Sequence, residues 1–402
     1  MFVLFGFAIC CVIGSADAIP DSTWIALKAI PHQGRTPLFA LAVDPANNQD
    51  VLAGTSDGSL LRSTNGGASW TVVHSGRPAV TTISYNPAST GFVLAGTHGG
   101  GAVMSRNGGA SWTNAVGLEG RTVRVFAFAL SLDVAGTDQG VYLSHDGATW
   151  TRSSLGNRDI NSLAVEAIHE PVRLIAGTDS QPSSGTLTLF QSVDDGATWT
   201  ALSPAISGSY AVRLSAGPLP PTGNIRPLVV GTNTGLFSSM DNGGTFTSLS
   251  GGALLPSTDY TQAVFVTDHY NRYYVASDGG GAAGGLWRTN DGGHSFTSLE
   301  PPQASVTALA VSNDENPTLY VATFRPSDHT PLVWTYHDTG GTPQGPGATP
   351  TAAASGLRPS GAAESRLTQL LSAPQVPYIG LGLGAVAVVL TAIAAHLRGR
   401  RR

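Results

Sequence analysis

One eight-residue pattern recurs along the chain and constrains the fold more than any other feature of the sequence. It reads Ser/Thr-x-Asp/Asn-x-Gly-x-Ser/Thr-Trp/Phe, and one copy is shorter by a residue. The Asp or Asn side chain can accept backbone N–H groups in a tight turn, and glycine permits the positive φ of such a turn. Spacings of about 40 to 50 residues indicate a repeat architecture. The six copies are Ser63–Trp70, Ser105–Trp112, Ser144–Trp150, Ser192–Trp199, Ser239–Phe246 and Thr289–Phe296.

The segments before each box predict strands. Two apolar stretches precede every box, and a short third stretch runs into it. The second stretch recurs seven times, as VLAGT at 51 and 93, VAGT at 134, IAGT at 175, VVGT at 229, YVAS at 274 and YVAT at 320. The sequence therefore predicts seven units, one more than the number of intact boxes.

The seventh unit has a degenerate box, Tyr336–Pro343, in which proline replaces the aromatic residue. Because proline has no N–H to donate, this unit cannot readily continue into a fourth strand. Near the N-terminus, Trp24–Lys28 looks like the segment Trp70–Val73 that follows the first box. We therefore expect the N-terminal segment to complete the last unit and close a ring, which removes exposed sheet edges.

The box closely resembles the Asp-box, or BNR repeat, of sialidases, sortilin-type receptors and photosystem II assembly propellers. The resemblance covers residues 22–342 and implies an all-β fold, a single seven-bladed β-propeller of four-stranded blades. It also implies that the box lies on the turn between the third and fourth strands and is structural, not catalytic. The residues given this role are Asn65, Asn107, Asp146, Asp194, Asp241, Asp291 and Asp338.

The two ends of the chain predict export and membrane anchoring. Residues 1–18 form a short apolar run closed by Ala16-Asp17-Ala18, which is typical of a signal peptide, although an uncleaved anchor remains an alternative. Residues 378–397 are apolar and long enough for a transmembrane helix, and the arginine-rich tail 398–402 predicts a cytoplasmic C-terminus. Between the propeller (19–343) and this helix, residues 344–377 read as a Pro/Gly/Ala/Ser-rich stalk.

The amino-acid composition argues against several classes of functional site. Both cysteines, Cys10 and Cys11, lie in the signal segment, so the mature chain is expected to contain no disulfide or cysteine metal site. The net charge is -5, and no basic run in the exported part favours nucleic-acid binding. Histidines are scattered, and no phosphate-binding loop is recognisable. We expect no metal and no cofactor.

Candidate ligand-binding residues lie in loops expected on the face opposite the boxes. Four consecutive loops between units carry arginine at similar places, which would suit carboxylate, sulfate or phosphate groups around a channel mouth. The alternative is that each arginine caps loop carbonyls. Later loops offer tyrosines, and a longer excursion in the seventh unit adds another arginine. The candidates are Arg35, Arg77, Arg121, Arg158, Tyr210, Tyr260 and Arg325.

Two functions fit the sequence. The first is a binding or assembly scaffold on the extracytoplasmic side of a membrane, a monomeric ring holding a protein or glycan partner. The second is an exo-sialidase or another glycoside hydrolase that uses the central face of the propeller. The Arg-Ile-Pro motif of the sialidase family is absent, since Arg35 is followed by Thr-Pro. The few glutamates, among them Glu119, Glu166, Glu300 and Glu315, match no motif of that family. The sequence favours the scaffold.

Overall fold

The computed structural model describes residues 23–76, 78–167, 171–178, 187–202, 206–208, 211–256, 258–279 and 284–340. The predicted signal peptide, stalk, transmembrane helix and basic tail lie outside these residues. Among the described residues, none belongs to a helix with the length and apolar character needed to span a bilayer.

The regular secondary structure of the described residues consists of 28 β-strands joined by turns and loops. The strands of the first half are β1 (Trp24–Ala26), β2 (Ala40–Asp44), β3 (Asn47–Gly54), β4 (Leu60–Ser63), β5 (Thr71–His74), β6 (Val80–Tyr85), β7 (Val93–Thr97), β8 (Ala102–Ser105), β9 (Thr113–Asn114), β10 (Val123–Phe128), β11 (Asp133–Thr137), β12 (Gly140–Ser144) and β13 (Thr151–Arg152). The second half contains β14 (Ile160–Ala167), β15 (Arg173–Thr178), β16 (Leu189–Ser192), β17 (Thr200–Leu202), β18 (Ala211–Ala216), β19 (Leu228–Thr232), β20 (Gly235–Ser239), β21 (Thr247–Leu249), β22 (Gln262–Val266), β23 (His269–Ser277), β24 (Gly285–Thr289), β25 (Thr297–Ser298), β26 (Val306–Val311), β27 (Thr318–Arg325) and β28 (Thr330–His337).

These strands make seven antiparallel four-stranded sheets, the blades of a propeller. Blades 1 to 6 each use four consecutive strands, beginning with β2–β5 and ending with β22–β25. Blade 7 has the order β1-β28-β27-β26, so its outermost strand comes from the N-terminus. The predicted seven-bladed all-β propeller is confirmed for the described part of the chain.

The N-terminal strand closes the ring as expected. Trp24 pairs with Tyr336 and Ala26 with Trp334, and the Leu27 backbone N–H donates to the Val333 carbonyl at 2.9 Å. The indole of Trp24 packs on the ring of Tyr336 with centroids 4.8 Å apart. Its Nε1 donates to the Leu299 carbonyl at 2.9 Å, which ties the closing strand to blade 6 as well.

Each blade buries both faces of its second strand against neighbouring blades. Every residue of β11 and β19 is buried, which explains why these segments read as continuous apolar runs. Five of the seven runs carry glycine at the same place, which allows close approach of the next blade. A Cβ on Gly54 would lie 2.3 Å from a methyl group of Val80, and one on Gly231 would lie 2.1 Å from the Tyr260 carbonyl.

The boxes form the predicted turns between third and fourth strands. In the first, Ser63 Oγ donates to Asn65 Oδ1 at 2.9 Å and accepts the Gly67 N–H at 2.8 Å. Asn65 Oδ1 also accepts the Ser69 N–H at 2.9 Å. The same three contacts recur around Asn107, Asp194, Asp241 and Asp291, and a shortened version holds around Asp146. The polar side chains at these positions are therefore engaged in their own turns.

The degenerate box has a different structural role from the other six. Asp338 is fully buried and accepts from Arg288 Nη1 at 2.5 Å, Arg272 Nη2 at 3.2 Å and the Tyr274 hydroxyl. Burial by itself raises the pKa of Asp338, but the Tyr274 hydrogen bond and the two guanidinium charges outweigh it and hold that pKa below its ordinary value. Asp338 thus bonds blade 7 to blade 6 instead of only closing a turn.

The two faces of the ring carry different loops. Box turns and the loops between first and second strands lie on one face, here called the box face. Loops between blades and loops between second and third strands lie on the other, the inter-blade face. Gly58, in such a second-to-third loop, would place a Cβ 2.2 Å from the Gly76 carbonyl in the adjoining inter-blade loop, which shows that the two loop types pack together.

The closing contact predicts a measurable coupling between Trp24 and Tyr336. In a double-mutant cycle of Trp24→Ala and Tyr336→Ala, aromatic pairing predicts a coupling free energy of unfolding of about 1 kcal/mol. The measurement is urea unfolding followed by tryptophan fluorescence. As a control, Trp24→Ala combined with Phe126→Ala in blade 3 should be additive. Additivity of the Trp24–Tyr336 pair would contradict ring closure by this contact.

The box carboxylates predict a pH-dependent stability. The hydrogen bonds that Asp194 accepts, first from the Thr198 hydroxyl and then from the Thr198 N–H, lower the pKa of its carboxyl. A lowered folded-state pKa contributes stability that is present above the unfolded pKa of about 3.9 and is lost as pH falls through the folded value.

Asp194→Asn should therefore unfold less steeply with acid below about pH 4 than the parent protein, because an amide does not titrate. Asn65 shows that an amide fits this turn, since its Nδ2 donates to Ser69 Oγ at 2.9 Å. The reverse change, Asn107→Asp, should steepen the acid dependence. Urea midpoints between pH 7 and pH 3 measure both effects, and equal slopes in all three proteins would count against the account.

Candidate functional site

The first strands of the blades surround a central channel. Its wall encloses a cavity of about 380 Å³, lined by residues from the starts of β2, β6, β10, β14, β18, β22 and β26. Because those strands begin at the loops between blades, this part of the channel lies toward the inter-blade face. Phe39, whose exposed fraction is 54%, and Asp278 also line this cavity.

Arg213 on β18 carries the least compensated charge in the channel. Its side chain lines the cavity and is half-buried, while its Nε atom is fully buried and meets no hydrogen-bond acceptor among the described residues. Burial lowers the pKa of its guanidinium, because desolvation disfavours the charged form. An arginine remains protonated in proteins, so this position holds a cation that lacks a counter-ion within the described part of the chain.

Arg124 on β10 is a second channel arginine, but it has a carboxylate partner. Its Nε and Nη2 donate to the two Asp159 oxygens at 2.7 and 2.8 Å, a bidentate pair. Both side chains are about one third exposed, at 36% and 34%, so solvent screens this pair. The second arginine is therefore fixed in direction at the channel wall by Asp159, which comes from the loop before blade 4.

The remaining described residues of the channel lining mix neutral polar with apolar side chains. Thr81, Asn161 and Gln262 contribute hydroxyl and amide groups, and Asp278 is the single carboxylate among the described residues of the wall. Neutral donors beside an arginine suit a carboxylate, sulfate or phosphate, because such groups accept several hydrogen bonds at once. The lining of this part of the channel is therefore chemically suited to an anionic group.

The predicted loop arginines are engaged by neighbours to different degrees. Arg35 and Arg325 converge on one residue: Arg35 Nη2 donates to the Asp328 carbonyl at 3.0 Å, and Arg325 forms an ion pair with the Asp328 carboxylate at 2.7 Å. The Asp328 hydrogen bond raises the pKa of Arg325. Through Asp328, these two side chains connect the loop before blade 1 to a loop of blade 7. Arg35 therefore caps a loop carbonyl, which is the alternative role considered in the sequence analysis.

The other predicted ligand-binding residues of the loops differ in what surrounds their side chains. The guanidinium carbon of Arg158 lies 4.5 Å from the centre of the Phe190 ring, a cation–π contact. The Arg121 side chain makes no hydrogen bond to a described residue, and its backbone carbonyl accepts the Gly101 N–H at 2.9 Å. Arg77 and Tyr210 lie outside the described residues, so their roles stay predictions.

Tyr260 does not belong to a binding face. Only 1% of it is exposed, its hydroxyl donates to the Leu255 carbonyl at 2.5 Å, and its ring packs edge-on against Trp287 at 5.7 Å. The sequence placed it in an inter-blade loop, which is correct, but the loop folds the ring inward. Trp287, 3% exposed, is likewise core, and Trp334 donates through Nε1 to the Thr323 hydroxyl at 2.9 Å.

Sequence reasoning missed the channel arginines because it searched the loops. Their signal was an arginine flanked by apolar residues within a first strand, as in Val123-Arg124-Val125 and Val212-Arg213-Leu214. In a first strand, alternate side chains point toward the neighbouring blade and toward the channel. A charged residue at one such position therefore faces the channel.

The glutamates do not assemble a hydrolytic pair in the channel. Glu166, on the same first strand as Asn161, is buried, and neither of its carboxyl oxygens has a hydrogen-bond partner in the described structure. Burial is the main cause that raises its pKa to about 7, with Arg173 and Arg226 opposing that rise. Glu119 accepts the Gly117 N–H at 2.8 Å. Neither glutamate is among the described residues of the channel wall.

Among the described residues, no three His, Cys, Asp or Glu side chains are grouped so that they could hold a metal ion.

Comparison with known proteins gives structural likeness only. No protein-family model matches the chain, and no curated protein matches it. Among solved structures, YCF48 from Cyanidioschyzon merolae is 13% identical, with a TM-score of 0.52 over 78% of this chain and 98% of that one. A structure of YCF48 bound to D1 peptide is 14% identical, with a TM-score of 0.55 over 80% of this chain and 97% of that one.

A glycoside hydrolase, the GH74 enzyme of Niastella koreensis, also matches. It is 17% identical with a TM-score of 0.44, and the match covers 75% of this chain but 55% of the enzyme. The present chain therefore spans about half the length of that enzyme. At 13% and 14% identity, the two YCF48 matches support the propeller fold and show no activity.

Arg213 predicts specific stabilisation by oxyanions. Sulfate or phosphate should raise the thermal midpoint more than chloride at equal ionic strength, because binding to the folded state adds RT ln(1 + [L]/Kd), about 1.4 kcal/mol at ten times Kd. Arg213→Met should abolish the difference. The matched control is Arg106→Met, which alters an arginine of the box face whose Nη2 donates to the Asp146 carbonyl at 2.5 Å. Equal sulfate effects in both variants would refute an oxyanion site at Arg213.

Proposed function

We propose that this chain is a binding scaffold that holds an anionic segment of a protein partner at the inter-blade mouth of the central channel. The observation that carries the proposal is the guanidinium of Arg213, which lies in the channel wall and has no acceptor for its buried Nε in the described structure. A partially buried cation of this kind is costly unless an anion compensates it. A bound carboxylate or phosphate would supply that compensation.

The size of the channel limits what can enter. A cavity of about 380 Å³ lies at the lower end of the range of ligand pockets, about 300 to 1,000 Å³. It suits a chain end or one or two side chains and is too small for a folded domain. Exposed Phe39 at its wall offers apolar contact beside the charged group. An extended peptide with a carboxylate or acidic side chain fits these limits.

A protein partner is supported by one structural neighbour of similar size. YCF48 has been solved with a bound D1 peptide, and the match to this chain covers 97% of its length. The likeness shows that a propeller of this size can hold a peptide. Recognition here rests on this chain's own residues, Arg213 and the Arg124–Asp159 pair.

The cellular setting of the proposal comes from the ends of the chain. Residues 1–18 support export, and residues 378–397 with the arginines of 398–402 support a single membrane anchor with the propeller on the extracytoplasmic side. The partner would then be another extracytoplasmic or membrane protein. A glycan partner is the weaker option, because Trp287 is buried in its blade and the half-buried Trp334 donates its Nε1 to the Thr323 hydroxyl.

Site-specific photo-crosslinking in membranes tests the proposal. A photo-reactive phenylalanine analogue at Phe39, in the channel wall, should trap a discrete protein partner from the native host. The matched control is the same analogue at Leu130, which is 60% exposed and lies in a first-to-second-strand loop on the box face. The Phe39 crosslink should weaken at least tenfold in an Arg213→Gln background, as expected from losing about 1.5–3 kcal/mol of charge-assisted hydrogen bonding.

Two outcomes would overturn this function. Equal trapping at Phe39 and Leu130 would remove the channel mouth as the binding face. Turnover of a sialoside or polysaccharide by the full-length protein, lost in Arg213→Gln, would make the channel an active site. A glycoside hydrolase would then replace the scaffold.

A further inference from the structure

Glu166 ends the first strand of blade 4 at a place where three other blades carry a different polar residue. The blade 4 stretch reads SLAVE, and the aligned stretches ALAVD, TISYN and ALAVS end at Asp44, Asn86 and Ser312. A side-chain oxygen of each of these three residues accepts a backbone N–H of its own corner, at 2.8 or 2.9 Å. In blades 1, 2 and 7, the polar group at this place is therefore satisfied by the turn that follows it.

The Glu166 carboxyl group has no such partner. The residue is 5% exposed, and neither carboxyl oxygen meets a hydrogen-bond partner in the described structure. Glu166 lies in a β-bulge, because the pairing of β14 with β15 shifts register between Val165 and Ala167, and a bulge re-aims the side chain that it carries. A buried carboxyl group without hydrogen bonds is costly in its charged form. Burial at this position therefore favours the neutral, protonated form of Glu166.

Among the described residues, three charged side chains lie close enough to Glu166 to act on its charge. They are Arg173 at the start of β15, Arg226 in the loop before β19, and Asp241 in the box turn of blade 5. Burial raises the pKa of Glu166 to about 7, Arg173 and Arg226 oppose that rise, and Asp241 adds to it. The carboxyl group therefore changes charge near neutral pH and not near the ordinary value of about 4.3.

Arg226 connects blade 5 to the strand that carries Glu166. Its Nε donates to the Gly217 carbonyl at 2.5 Å, and its Nη1 donates to the carbonyl of Val165, the residue before Glu166, at 3.1 Å. Burial lowers the pKa of Arg226, and the Glu166 charge opposes that change. Because arginine stays protonated in proteins, Arg226 is a cation held by two neutral carbonyls. A carboxylate accepts a charge-assisted hydrogen bond, which is stronger, so an ionised Glu166 competes for the guanidinium.

The contacts of Arg226 also position the loop between β18 and β19. Gly217 and Arg226 lie at the two ends of this loop, and the Gly217 N–H donates to the Pro227 carbonyl at 2.7 Å. Between them, Pro220 and Ile225 form part of one wall of a groove of about 690 Å³ on the box face. A movement of Arg226 would therefore move that wall.

We propose that Glu166 is a proton-controlled latch on the loop between β18 and β19. Protonated Glu166 is neutral and leaves Arg226 on the Gly217 and Val165 carbonyls, which holds the loop against blade 4. Ionised Glu166, its proton lost to solvent, draws the guanidinium away from the Gly217 carbonyl. The loop then loosens, together with the groove wall that it forms. The latch acts on the box face and does not depend on an anion in the central channel.

Fluorine NMR on the full-length protein tests the latch. In a background with Cys10→Ala and Cys11→Ala, Leu219→Cys carries a trifluoromethyl tag in the loop, at a position that is 55% exposed. The fluorine chemical shift should titrate with a midpoint near pH 7. The reason is that the ionised fraction of a group with a pKa of about 7 rises about tenfold between pH 6 and pH 8.

Four variants separate the latch from other titrating groups. Glu166→Gln should abolish the titration of the tag, because an amide does not ionise, whereas Glu119→Gln, the same change in an inter-blade loop, should leave it unchanged. Arg226→Met should also abolish it, because the tether is gone. Arg173→Met should keep the titration and raise its midpoint, because a charge that opposes the rise in the Glu166 pKa is removed. A chemical shift that stays constant from about pH 5.5 to 8.5, or a titration that survives Glu166→Gln or Arg226→Met, would overturn the proposal.

Discussion

The fold depends on burying both faces of every blade, and only a closed ring satisfies that requirement for all seven. A four-stranded sheet with an apolar second strand such as β11 or β19 cannot stand alone, because both of its sides would meet water. Blade 7 would present an open edge without β1, and its seventh box cannot supply the missing strand. Closure by Trp24 against Tyr336, reinforced by Asp338 between Arg272 and Arg288, therefore completes the packing of the whole ring.

Closure of the ring also forms the central channel that contains the candidate site. The seven first strands meet around an axis, and any side chain that points inward is shared among blades instead of belonging to one. Arg124 has its carboxylate in the next inter-blade loop, at Asp159, whereas Arg213 has none in the described part of the chain. The charges of the channel wall consequently come from residues that are far apart in sequence, and among the described residues Arg213 is the one arginine of the wall without a carboxylate partner.

The fold was largely predictable from sequence because its determinants are local. Each box needs only Ser/Thr, Asp/Asn and Gly at fixed offsets, and the hydrogen bonds around Asn65 and Asp194 form within a few residues. The site was less predictable because it depends on which side of a strand faces the axis. Tyr260 looked like a loop residue and proved to be core, and Asp338 looked like a degenerate box residue and proved to be the centre of a buried ion cluster. The Tyr260 ring packs on Trp287, and Asp338 pairs with Arg272 and Arg288, so both depend on partners that are distant in sequence.

The most direct test of the central claim is to locate a bound oxyanion in crystals of the propeller soaked with selenate, using the anomalous scattering of selenium. The account predicts a peak inside the central channel within hydrogen-bonding distance of the Arg213 guanidinium, and its loss in Arg213→Met crystals. Selenate bound only at loop arginines such as Arg35 or Arg121, with the channel empty in the parent protein, would contradict it.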